Sequence, residues 1–171
     1  MNQHHHPYIE NDAAALDTSK PAKVILLVED QDHIRQLIKL SLAPTQHKIY
    51  EASDCQTALH LARTLKPDLM LLDIVLSKGA DTDTPTMTNG LDLCRIVKDT
   101  PELAYMPIVL VSSRGQTSDI KKGLAAGANE YIVKPFSVIH LMEVAMRQLS
   151  AMTNDGGHKH TAKHKDGHGK A

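Results

Sequence analysis

The chain is short of the features that mark several common protein classes. It has no tryptophan, one phenylalanine and four tyrosines among 171 residues, so each aromatic position stands out. Its two cysteines, Cys55 and Cys94, are far apart and lack CxxC spacing, which argues against a disulfide scaffold or a cysteine-based zinc site and leaves two unpaired thiols on expected helices. No apolar stretch is long enough to span a bilayer, and Met1–Glu10 lacks the hydrophobic core of a secretory signal. Neither charge sign dominates: 19 Lys+Arg face 20 Asp+Glu, so no general attraction to nucleic acid or to an anionic membrane is expected. The resulting expectation is a cytoplasmic chain whose 42% hydrophobic content suffices for one domain.

What is present is a repeated pattern. Four short apolar runs each end on a residue able to handle phosphate or a divalent cation: Val24–Val28 on Glu29 and Asp30, Leu69–Leu72 on Asp73, Ile108–Val111 on Ser112, and Tyr131–Val133 on Lys134. Runs rich in Val, Ile and Leu, separated by amphipathic stretches, read as parallel strands buried on both faces. A weaker strand is expected over Lys48–Ala52. Helices are expected from about Asp32 to Ala43, stopped by Pro44; after the cap Asp54, with Ala58, Leu59, Ala62 and Leu65 as its stripe; around Leu91, Cys94, Ile96 and Val97; over Ser118–Ala126; and from the cap Ser137 to about Ala151. The apolar face of the first helix is expected to be Ile34, Leu37, Ile38 and Leu42. Flanking this domain at 23–151 are an N-terminal arm at 1–22, expected to be flexible, and a His/Lys/Gly-rich tail at 152–171, expected to be disordered.

Five strands alternating with five helices, joined by right-handed crossovers, give an α/β doubly wound parallel sheet of order 2-1-3-4-5, the flavodoxin-like arrangement. In this order the first and third strands are neighbours, and ligands bind beyond the carboxyl ends of the strands. Glu29, Asp30 and Asp73 therefore meet at the switch point. Three carboxylates in one pocket repel each other, and a hard divalent cation with oxygen ligands relieves the repulsion, which makes Mg²⁺ the natural candidate. Lys134 adds a compact positive charge, and Ser112 a hydroxyl able to donate to a phosphoryl oxygen.

With Glu29-Asp30, Asp73, Ser112 and Lys134-Pro135 in order at strand ends, the stretch from Lys23 to about Ser150 resembles the receiver domains of two-component response regulators, of the chemotaxis-regulator type. The resemblance implies that Asp73 accepts a phosphoryl group from a phosphohistidine of a histidine kinase or histidine phosphotransfer protein. It also implies Mg²⁺ held by Asp30, Asp73, the Val75 backbone carbonyl and, through water, Glu29. Ser112 and Lys134 would bind the phosphoryl group, Tyr131 would act with Ser112 as a switch pair, and the Lys134–Pro135 bond is a candidate cis peptide. Val75 and Arg114 sit where family members differ in phosphoryl lifetime. On this reading the chain is a single-domain response regulator, not a dedicated enzyme. It would be a monomer or a phosphorylation-dependent dimer that signals by protein binding through the face of the fourth helix, fifth strand and fifth helix. The alternative within the family is a phosphorelay intermediate or phosphate sink.

Other classes fit less well. A flavin-binding relative of the same fold would need a phosphate-cradling loop after the first strand, where Glu29-Asp30-Gln31-Asp32 is repulsive. An aspartate-nucleophile phosphatase would carry DxD on its first strand, which Asp73-Ile74-Val75 does not match. The chain departs from its family in the long polar connection from Ile74 to Asn89 before Gly90, readable as a lid over the site or as a tolerated insertion. His158, His160, His164 and His168 of the tail lie among Gly and Lys without a rigid frame, so a solvated tail is expected in preference to a metal site.

Overall fold

The computed structural model describes residues 21–76, 87 and 89–154. The strands are β1 (Val24–Val28), β2 (Lys48–Ala52), β3 (Leu69–Leu72), β4 (Ile108–Ser112) and β5 (Glu130–Val133). The helices are α1 (Asp32–Leu42), α2 (Cys55–Leu65), α3 (Gly90–Asp99), α4 (Thr117–Ala125) and α5 (Val138–Asn154). All strand pairs are parallel, and the sheet order is β2-β1-β3-β4-β5.

The side-chain parity of the three central strands builds two cores. Leu26, Val28, Met70, Leu72, Ile108 and Leu110 point to one face, where α2 and α3 contribute Ala58, Ala62, Leu93, Cys94 and Val97. Ile25, Leu27, Leu69, Leu71, Val109 and Val111 point to the other, covered by Ile38 and Leu42 of α1 and by Leu141, Val144, Ala145 and Leu149 of α5. Burial on both faces is why these strands are continuous apolar runs and why the edge strand β2, with its alternating exposure, is weaker in the sequence.

Local chemistry sets the element ends. The Asp54 carboxylate accepts from the Thr57 N–H at 2.8 Å and the Ser137 hydroxyl from the His140 N–H at 3.0 Å, each satisfying an orphan donor of a helix start. The α1 helix stops at Leu42, and Pro44 sits in the 3-10 turn Ala43–Thr45 that follows. Its buried stripe is narrower than the sequence pattern. Ile38 and Leu42 are buried, whereas Leu37, about 100° around the helix from Ile38, is 44% exposed. The α5 helix runs to Asn154, beyond the expected end at Ala151. Cys55 and Cys94 are buried free thiols, and burial pushes each up to about 11, which makes both poor nucleophiles. Among the described residues, no helix is long and apolar enough to cross a membrane.

Candidate functional site

The carboxyl edge of the sheet gathers residues far apart in sequence. Val28 and Leu72 are register partners in adjacent strands, so the residues that follow them, Glu29 with Asp30 and Asp73, emerge side by side. The Glu29 N–H still pairs with the Ala52 carbonyl at 3.0 Å and the Asp73 N–H with the Val28 carbonyl at 2.9 Å, so the ladder fixes both main chains where the acids begin. Carboxylate oxygens of Glu29, Asp30 and Asp73 all lie within 4.8 Å of one another. Among the described residues, this is the group of acids placed to share a cation. From the other side of β3, Lys134 follows β5 and reaches across the cleft. Its Nζ donates to Glu29 Oε2 and to Asp73 Oδ2, both at 2.6 Å. The Lys134–Pro135 peptide is cis.

Burial governs the electrostatics. The Glu29 side chain is 1% exposed and that of Asp73 4%, so the Asp73 carboxylate lies under Lys134, more enclosed than an open strand end. Burial holds the Glu29 carboxyl above its ordinary 4.5, opposed by the hydrogen bond from Lys134, while the neighbouring Asp73 charge adds to the rise. Burial alone would lower the Lys134 ammonium, but hydrogen bonds to Asp73 and Glu29 outweigh it and leave the group above its ordinary 10.5. One ammonium against three carboxylates leaves the pocket short of positive charge. Its donors are hard oxygens, the set that suits a divalent cation such as Mg²⁺.

Ser112, Arg114 and Tyr131 form a second group beside the acids. Ser112 is fully buried, and its Oγ accepts from the Arg114 N–H at 3.3 Å. The Tyr131 hydroxyl donates to the Arg114 carbonyl at 2.5 Å. Burial raises the Tyr131 phenol above its ordinary 10.0, and the Ser112 hydroxyl beside it works against that rise. The main chain of Arg114, not its exposed guanidinium, thus links the two side chains expected to form a switch pair. The Tyr131 ring packs against the core through a gap in α4: a Cβ added at Gly123 would stand 2.7 Å from Leu110 Cδ1 and 2.9 Å from Tyr131 Cδ2. Gly123→Ala is therefore expected to turn the ring outward, because Leu110 is enclosed in the core and only the ring has solvent to move into. Spectrophotometric titration should then show the phenol moving back toward 10.0. An unchanged titration, with the hydrogen bond to Arg114 intact in the NMR spectrum, would show that the ring does not depend on the gap.

Of the sequence-derived residues, Glu29, Asp30, Asp73 and Lys134 share one pocket, with Ser112, Tyr131 and Arg114 beside it. Val75 is 44% exposed, and its N–H donates to Asp73 Oδ1 at 2.9 Å, fixing that oxygen. Sequence reasoning passed over Gly123 and Arg35, whose Nη1 donates to the Glu29 carbonyl at 2.7 Å. A glycine inside an expected helix was the available signal for the first. The ends of the long connection meet at the site, with the Gly90 N–H donating to the Ile74 carbonyl at 3.0 Å, and the Asn89 side chain caps α3 through the N–H groups of Leu91 and Asp92. The lid reading concerns the connection from Ile74 to Asn89, of which residues 77–86 and 88 lie outside the described residues, as do His158, His160, His164 and His168 of the metal reading of the tail.

Comparison with known proteins agrees with this fold. The transcriptional regulatory protein AfsQ1 of Streptomyces coelicolor is 37% identical over 111 residues, covering 65% of this chain and 44% of the relative. Histidine kinase P4 of Formosa agariphila is 35% identical over 133 residues, which are 77% of this chain and 9% of that protein. A putative response regulator from Chloroflexus aurantiacus matches in structure with a TM-score of 0.67 at 26% identity, covering 76% of this chain and 99% of that one. The chain spans about half the length, or less, of the curated relatives it matches first, 44% and 53% for the leading two. The family model of the response regulator receiver domain matches residues 25–146, and the chain belongs to that family.

Proposed function

We propose that Asp73 is the phosphoacceptor of a two-component phosphotransfer and that the chain is a phosphorylation switch, not a dedicated enzyme. The observation that carries this reading is the convergence of three carboxylates within 4.8 Å, with an ammonium 2.6 Å from the third. Asp30, Asp73, the Val75 carbonyl and, through water, Glu29 would hold Mg²⁺. When bound, the cation would supply positive charge to the phosphoryl oxygens during in-line transfer.

The chain's own groups supply the rest. Val75 holds Asp73 Oδ1 through its N–H, which leaves Oδ2 facing Lys134 as the attacking oxygen. An O–P bond forms at Oδ2 as the P–N bond to the donor imidazole breaks. The electron pair leaves with the imidazole nitrogen, which takes up a proton. The Lys134 ammonium then pairs with a phosphoryl oxygen, to which the Ser112 hydroxyl also donates. Val75 and Arg114, both exposed at the mouth, would set how readily water reaches the product.

Output would pass by protein binding through α4, β5 and α5, where Leu124, Val133 and Ile139 are 46%, 38% and 70% exposed. The input partner would be a histidine kinase or histidine phosphotransfer protein, in the cytoplasm. Incubation with acetyl phosphate and Mg²⁺ tests the acceptor. One phosphoryl group per chain is expected, mapped to Asp73 by peptide mass and absent from Asp73→Asn. Label on another residue, or none on wild type that binds Mg²⁺, would refute the assignment. A second reading, a phosphorelay intermediate, is favoured by the match inside a histidine kinase chain. Rapid return of the phosphoryl group from Asp73 to a histidine phosphotransfer protein would support it; loss by hydrolysis alone would exclude it.

A further inference from the structure

We propose that Arg35, which is not one of the pocket's ligands, is a positioning residue that sets the divalent-cation affinity of the carboxylate pocket, with Glu51 of the edge strand as its anchor. The inference rests on the reading of Glu29, Asp30 and Asp73 as a cation site. Beyond Val28 the chain leaves the sheet to enter α1. The Glu29 N–H keeps its partner in β2, but the Glu29 carbonyl has passed the end of the ladder. Arg35 takes it: Nη1 donates to that carbonyl at 2.7 Å from the first turns of α1. The same guanidinium donates through Nε to Glu51 Oε2 at 3.2 Å and through Nη2 to Asp32. Lys39 Nζ holds the other Glu51 oxygen at 2.6 Å. The planar fork is thus engaged on all three nitrogens and only 16% exposed, and it clamps the Glu29–Asp30 peptide against β2 and α1. That peptide carries two of the three acids, so its orientation sets where their carboxylates stand.

The guanidinium acts on a cation by two routes of opposite sign. As a nearby positive charge it weakens divalent binding; as a clamp it strengthens binding by holding the acids in place. Three variants separate the routes. Arg35→Met removes both charge and fork, Arg35→Lys keeps the charge without the fork, and Glu51→Gln keeps the Arg35 charge but loosens its anchor.

The readout is calorimetric titration of MgCl₂ into the full chain without phosphodonor, at a temperature where chelator-treated protein is folded by circular dichroism. Outer-shell partners of metal ligands are typically worth about 10–100-fold in affinity, so Arg35→Lys is expected to raise the Mg²⁺ Kd about tenfold, and Arg35→Met by less, because loss of the charge offsets part of the loss of the clamp. Glu51→Gln should raise it about threefold, a fraction of that outer-shell effect. An unchanged or tighter Kd in Arg35→Lys would overturn the proposal, as would a lower thermal midpoint in that variant without a change in Kd, the mark of a purely structural role. If Arg35→Lys fails to fold, Glu51→Gln decides by the same criterion. Wild type that takes up no Mg²⁺ overturns the underlying cation reading, whereas wild type that binds while the variants bind equally well overturns the role of Arg35 alone.

Discussion

Gly90→Ala is expected to disable the site while leaving every proposed ligand in the sequence. A Cβ at position 90 would lie 2.0 Å from the Asp73 carbonyl oxygen and 2.9 Å from both the Asp73 carbonyl carbon and Ile74 Cα. These are main-chain atoms, so no side-chain rotation relieves the clash. The start of α3 must retreat, or the peptide bearing Asp73 must move. Retreat breaks the hydrogen bond from the Gly90 N–H to Ile74 and uncovers Leu93 and Cys94, which α3 buries. Overpacking of this kind costs about 3 kcal/mol, read as a lower denaturant midpoint. A misplacement of about 1 Å at the reacting group is worth about 100-fold in rate, so acetyl phosphate labelling should slow by at least that factor. Gly115→Ala is the control. Its Cβ would meet Val133 Cγ1 at 2.8 Å, the tip of a side chain that is 38% exposed and free to turn, so little change is expected. Wild-type stability and labelling in Gly90→Ala would contradict the packing argument.

The second large effect is expected from Lys134→Met. Methionine keeps most of the stem volume but removes the ammonium, leaving the carboxylates of Glu29 and Asp73, 1% and 4% exposed, facing each other. Removing one partner of a buried ionic cluster typically costs about 3–5 kcal/mol; the lower end, about 3 kcal/mol, is expected because Lys134 is itself 15% exposed. Mg²⁺ should stabilise the variant more than wild type, since the cation no longer competes with an ammonium for the same oxygens.

The pH dependence carries a matching signature. The Lys134 ammonium is held above 10.5, so the folded state retains its proton longer than the unfolded state does. Its contribution is complete below 10.5 and fades as pH climbs through the folded value. Metal-free wild type should therefore lose stability at that alkaline end, and Lys134→Met should lack this component. Glu29 is held above 4.5, so the folded state binds more protons and metal-free stability declines as pH rises from about 4.5. Losing the Lys134 hydrogen bond should raise the Glu29 carboxyl further and extend that decline toward neutral pH. Equilibrium unfolding with chelator across pH measures both. A variant as stable as wild type would mean that the carboxylates tolerate burial without the ammonium.

Much of the site is legible because its residues stand at the ends of apolar runs. Val24–Val28, Leu69–Leu72 and Ile108–Ser112 are buried on both faces, so their composition announces the strands, and the polar residue ending each run lies at the carboxyl edge by construction. The edge strand β2 and the stripe of α1 are read less well. Partial exposure relaxes the demand for apolar residues, and Leu37 matches the helical period while facing outward. Arg35 is harder still. Its sequence neighbourhood is that of any charged residue on a helix, and its partners at Glu29 and Glu51 belong to two other segments.

The sequence by itself determined the alternation of elements, their order in the sheet and the convergence of Glu29, Asp30 and Asp73, because hydrophobic period and crossover handedness are local properties that allow few arrangements. Only the tertiary structure decided that Lys134 covers Asp73, that Gly90 and Gly123 are gaps filled by the Asp73 main chain and the Tyr131 ring, and that Arg35 clamps the acid loop. Each of these depends on distances of a few ångströms between different elements of the fold, and such distances follow from how helices seat on the sheet, which no periodicity within one segment encodes.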